Sequence, residues 1–104
     1  MRVVLTDLAK RQIADTARYI RQEFGKKSKE SFLQKVREIR LLLNGNPYLG
    51  PVEPLLAERV QSYRSVVVGK LNKMVYYIDK DTVIYIVAFW DCRQEPTALA
   101  SQVK

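Results

Sequence analysis

The chain has 104 residues, of which 18 are Lys or Arg, 11 are Asp or Glu and none is His, for a formal net charge of +7. That length holds one hydrophobic core, so residues 1–104 are read as a single domain, and 47% apolar with 28% charged residues is an ordinary globular mixture. Without His there is no Ser-His-Asp or Cys-His catalysis, no His-ligated zinc and no imidazole switch; a single cysteine, Cys92, leaves no internal disulfide or zinc cluster, and no metal or cofactor is expected.

Asp7, Lys10 and Arg11 follow Met1–Leu5 before an apolar segment of signal-peptide length accumulates. The longest strongly apolar run, Val83–Trp90, is far short of the ~20 residues of a membrane helix. A cytoplasmic protein with no membrane partner is expected.

Met1–Leu5 is β-branched and reads as an opening strand. Thr6 is placed to cap a helix with Asp7 against its dipole, and Ala9, Ile13, Ala17, Ile20 and Phe24 recur on one face up to Gly25. Ser28 can cap a second helix with the stripe Phe32, Val36, Ile39 and Leu43, ending at Asn44-Gly45. About four residues then separate the helices, which predicts an antiparallel hairpin. Ten basic residues against four acidic ones lie between Ala9 and Arg40. Solvated helix faces are the plain explanation for them, and an anionic partner is the functional one.

The breaker-rich segment Asn46–Pro51 must be a loop. Beyond it, Tyr63–Val68, Lys73–Ile78 and Thr82–Trp90 are rich in Val, Ile and Tyr and are joined by short polar turns, the pattern of an antiparallel meander. The order strand, helix, helix, three strands predicts an α+β domain: a helical hairpin packed on a small antiparallel sheet. Unbroken alternation would turn Val66, Val68, Met74, Tyr76, Ile78, Ile84, Ile86 and Ala88 toward the helices. Tyr63, Lys73, Val75, Tyr77, Tyr85, Val87 and Phe89 would then lie on the other face, where Tyr63, Tyr77, Tyr85 and Phe89 are candidate partner-binding residues. The alternative is that loops or the C-terminal tail cover this face.

Gly69-Lys70 lacks the first glycine and the Ser/Thr of a phosphate-binding loop, and Asp79-Lys80-Asp81 lacks the remaining ligands of a calcium loop. Arg64, Lys70, Lys73 and Arg93 come from the sheet half, where strands about 4.8 Å apart could bring them to one phosphate. In a histidine-free RNA cleavage, arginines would stabilise developing charge and a lysine would act as base. Four scattered surface cations are the other reading. Cys92 is expected as a packed small residue, and Trp90 as an anchor at the end of the last strand.

Several features taken together resemble the RelE/ParE superfamily of toxins of type II toxin-antitoxin systems, also labelled plasmid stabilisation proteins. They are the helical hairpin, the Asn46-Pro47-x-x-Gly50 loop, the Tyr63-Arg64 strand start, Lys73–Ile78 and the ending Val87–Pro96. The resemblance implies a β-α-α-β-β-β fold and a cognate antitoxin as partner, with growth inhibition as the outcome. RelE-like members are ribosome-dependent mRNA endonucleases, whereas ParE-like members poison DNA gyrase, so the implied target is either gyrase or the ribosome with its mRNA. Under the RelE-like alternative Arg64, Lys73 and Arg93 would be catalytic. A second basic position falls at Val66, the tail after Arg93 has no Tyr, and guanidinium is a poor general base. These departures favour the ParE-like branch; a basic nucleic-acid-binding adaptor is a further alternative. The basic charge, the aromatic sheet face and an apolar groove beside the helices suit an acidic and apolar segment of the antitoxin, received as an amphipathic helix or an added strand, with most contacts on the helical hairpin and the exposed sheet.

Overall fold

The computed structural model describes residues 1–103. The elements run β1 (Arg2–Leu5), α1 (Asp7–Phe24), α2 (Lys26–Gly45), a single 3₁₀ turn (Pro54–Leu56), β2 (Tyr63–Val68), β3 (Asn72–Asp79), β4 (Val83–Asp91) and α3 (Pro96–Gln102). This is the expected β-α-α-β-β-β order followed by a short terminal helix. Among the described residues no helix is long and apolar enough to cross a membrane.

Thr6 caps α1: its Oγ1 accepts from the Ala9 N–H at 3.2 Å, and its own N–H donates to the Ile86 carbonyl at 3.0 Å. The same residue therefore starts the helix and ties it to the centre of the sheet. Gly25, at φ +94°, ends α1 and begins α2 within one residue. Two helices can abut so closely because glycine accepts the left-handed half of backbone space. Hence Ser28 does not cap α2. It lies inside the helix, with its hydroxyl donating to the Phe24 carbonyl. Ala9, Ile13 and Ala17 of α1 and Val36, Ile39 and Leu43 of α2 are buried, as their spacing predicts. Phe24 is an exception at 66% exposure, since it falls at the open tip of the hairpin.

The sheet order is β1-β4-β3-β2. β2, β3 and β4 form the antiparallel meander, while β1 pairs with β4 in parallel, so the sheet is mostly rather than wholly antiparallel. The long helical connection after β1 allows that direction. A tight turn joins β3 to β4, with positive φ at Lys80 and Asp81 and the Thr82 N–H donating to the Asp79 carbonyl.

Unbroken alternation fails at one place on β4. Val75 opposes Ala88, but the next residue, Tyr76, opposes Ile86, which leaves Val87 as the extra residue of a β-bulge. Past the bulge the faces exchange. Phe89 turns toward the helices and packs edge-on against Phe32, with centroids 5.5 Å apart, while Ala88 turns away and joins Trp90.

That other face is also not open. Leu56 of the 3₁₀ turn, Leu99 of α3 and Val103 pack over Tyr63, Val75, Ala88 and Trp90 to make a second small core. Trp90 does anchor the end of β4, at 2% exposure. Cys92, expected to be packed, is exposed instead, because the chain has left the sheet by that point.

Candidate functional site

The three cations proposed for catalysis lie in three separate places. Arg64 alternates with buried Tyr63 and Ser65 on β2, and its guanidinium donates to the Gly50 carbonyl at 2.8 Å while covering the Tyr48 ring at 4.9 Å. It clamps the loop of residues 46–51. Tyr76 holds the same loop from below: its hydroxyl accepts from the Gly50 N–H at 3.1 Å and donates to the Pro47 carbonyl at 2.8 Å. Burial pushes the Tyr76 hydroxyl pKa up, against the opposing hydrogen bond from Gly50 and the nearby charge of Arg64.

Lys73 lies on the opposite face of the sheet, beside Val75, and its ammonium is paired with the carboxylate of Glu53. Glu53 is completely buried, and its oxygens also accept from the Ser65 hydroxyl at 3.0 Å and the Leu55 N–H at 2.8 Å. Burial alone would raise this carboxyl's pKa. The Lys73 ammonium and the two other donors outweigh that effect and hold it below the ordinary value. Lys73 is therefore bound to a partner and only 16% exposed.

Arg93 follows β4 and forms a fork with Asp91, Nε to Oδ1 at 3.1 Å and Nη2 to Oδ2 at 2.8 Å. This fork lowers the Asp91 pKa and raises that of Arg93. The β2–β3 turn is its neighbour, since the Cys92 N–H donates to the Leu71 carbonyl. Arg64 is four residues down β2 from Val68, about 13 Å from that end of the sheet. Arg64 on β2, Lys73 on β3 and Arg93 just beyond β4 thus each make a different contact within the chain.

The four aromatic residues expected on one face divide. Tyr63, Tyr77 and Tyr85 form a ladder across β2, β3 and β4, with centroids 5.7 and 5.3 Å apart, directly opposite one another in register. Tyr63 is buried at 7%, Tyr77 and Tyr85 are partly open, and Phe89 belongs to the helix-side core. Burial, and then the Asp79 carboxylate, raise the Tyr77 pKa.

The apolar groove expected beside the helices lies on the hairpin. Leu5, Ile13, Ala17, Leu33 and Val36 floor a groove of 560 Å³ whose rim carries Lys10, Arg18, Arg21, Lys29, Arg37 and Arg40. Among the described residues no carboxylate lines it. Its signal in the sequence is the local excess of basic residues, but only the register between the two helices gathers six of them around one apolar strip.

Comparison with known proteins decides the family: the profile of "ParE toxin of type II toxin-antitoxin system, parDE" matches residues 3–96. The chain belongs to the ParE toxin family. Its fold is similar to a solved chain titled "Chromosomal ParDE TA system from P. aeruginosa", with a TM-score of 0.71 at 14% identity, covering 88% of this chain and 95% of that one. At this identity the likeness concerns the fold. A search of curated proteins found no match.

Proposed function

We propose that this ParE-family toxin poisons DNA gyrase by binding rather than by cutting RNA, and that a cognate antitoxin neutralises it through the basic groove of the hairpin. The observation that carries the first part is the engagement of Lys73 by Glu53. A general base must have a free lone pair within reach of the proton it removes, and the one lysine among the three candidate residues is engaged by a buried carboxylate. Guanidinium is a poor general base, so Arg64 and Arg93 would serve to stabilise charge. Each of the three is engaged within the chain, Arg64 by the Gly50 carbonyl, Lys73 by Glu53 and Arg93 by Asp91, which supports the non-nucleolytic reading.

The second part rests on charge and shape. An apolar floor ringed by six cations fits a helix with one apolar face and flanking Asp or Glu, seated as a helix in a groove. Such a complex gains on-rate from the opposite charges and weakens as salt rises.

The test uses the purified chain. It is expected to inhibit supercoiling by gyrase and to leave mRNA intact on translating ribosomes; specific cleavage in the ribosomal A site would refute the non-nucleolytic reading. Arg18→Glu with Arg37→Glu is expected to weaken the antitoxin complex at least tenfold, the equivalent of about 1.4 kcal/mol. An unchanged affinity would remove the groove from the interface.

A further inference from the structure

We infer that the toxin has a second, separate interaction surface, the cleft between α1, the β2–β3 turn and the end of β4. It receives a carboxylate-bearing loop with an apolar anchor from the protein that the toxin inhibits. This rests on the toxin reading above, and it assigns target and antitoxin to different flanks of the same hairpin.

Helix α1 separates the two surfaces. Gln12, Thr16 and Tyr19 line the cleft, whereas Lys10, Ala17 and Arg21 line the basic groove. At 100° per residue these sets point in opposite directions from the helix axis. The cleft measures 680 Å³, within the size range of ligand sites. Its floor is the Phe32–Phe89 pair, and its rim keeps apolar surface in water: Phe24 is 66% exposed, Tyr19 52% and Leu71 43%. Tyr19 and Phe24 meet edge to face at 6.5 Å, so they form one aromatic wall. Aromatic side chains next to a fixed arginine are the composition of interface hot spots.

Charge selects the occupant. Two carboxylates line the cleft, Asp15 and Asp91, and each is already paired, with Arg18 at 3.1 Å and with Arg93 at 2.8 Å. Lys35 and Lys70 also line it, and among the described residues neither has a carboxylate within ion-pair distance. The uncompensated charge is positive, which calls for a carboxylate beside the apolar group that fills the aromatic wall. The groove across the helix carries six cations, of which Arg18 alone is paired with a carboxylate among the described residues, and asks for a more acidic partner.

The experiment compares wild type with two independent variants, Phe24→Ala/Lys70→Glu and Tyr19→Ala/Lys35→Glu. All four side chains are exposed, so both variants are expected to melt like wild type by circular dichroism. Induced in a bacterial host, each is expected to lose at least about tenfold in growth arrest while binding the antitoxin within about twofold of wild type. Full growth arrest by both variants would overturn the inference, as would a parallel loss of antitoxin binding, which would assign the cleft to the antitoxin. Binding of a short oligodeoxythymidine that the variants abolish would assign it to nucleic acid and also overturn the proposal. A wild-type chain that arrests growth but leaves gyrase supercoiling unaffected would refute the gyrase reading alone, while the comparison of variants still decides the cleft.

Discussion

Replacing Lys73 by Met separates a structural ion pair from a catalytic base. The substitution keeps an unbranched, flexible apolar stem and removes the ammonium that faces Glu53. Glu53 has 0% exposure and would retain two donors, the Leu55 N–H and the Ser65 hydroxyl, for a full negative charge. Breaking a buried pair by removing one partner costs about 3–5 kcal/mol. Because Lys73 itself is 16% exposed and two hydrogen bonds survive, about 2–4 kcal/mol is expected at pH 7. For a domain near this size that lowers the thermal midpoint by roughly 10–25 °C.

The pH dependence carries the sharper test. In wild type the folded Glu53 pKa is depressed, so its contribution is present above the ordinary carboxylate pKa and is lost as pH falls through the folded value. Without Lys73, burial dominates and the folded pKa rises above the unfolded one; the variant should then gain stability as pH falls from 7 toward 5. The double variant Glu53→Gln/Lys73→Met should recover part of the loss, since it leaves no buried charge. Urea unfolding followed by circular dichroism across pH 4–8 measures all three. A Lys73→Met protein within about 1 kcal/mol of wild type, with the same sign of pH slope, would show that Lys73 is not committed to Glu53 and would reopen its role as a base.

Three further outcomes follow from the packing. A Cβ on Gly50 would lie 2.2 Å from the Ser65 carbonyl oxygen, so Gly50→Ala should destabilise by about 1–3 kcal/mol or more in a thermal melt; a neutral result would mean that the loop does not press on β2. Phe89→Ala should cost about 3–5 kcal/mol, because the bulge places the ring in the helix-side core, and a surface-like effect would contradict the exchange of faces at Val87. Arg93→Ala removes only an exposed fork on Asp91 and should leave the melting curve unchanged; a large loss there would mean that Asp91 needs its partner for folding.

Most of the architecture is legible in local patterns. Apolar spacing along Ala9–Ala17 and Phe32–Leu43, the capping by Thr6, the breakers of Asn46–Pro51 and the β-branched runs each reflect interactions between residues close in the chain. The positive charge and the absence of His are properties of composition, and they limit the available chemistry whatever the fold. The start of α2 lies a few residues before the expected Ser28 cap because Gly25 alone serves both helix ends, a role that Ser-cap chemistry does not signal.

Tertiary structure decides what local pattern cannot. One extra residue, Val87, inverts the end of β4, and nothing in Ile86–Phe89 marks a bulge because all four residues are apolar. Lys73 reads as a free cation along the chain, yet folding places Glu53, twenty residues earlier, beneath it. The six-cation groove exists only because α1 and α2 pack in one register. Secondary structure is set by neighbours along the chain, whereas the protonation and availability of a charged group are set by what long-range packing brings against it.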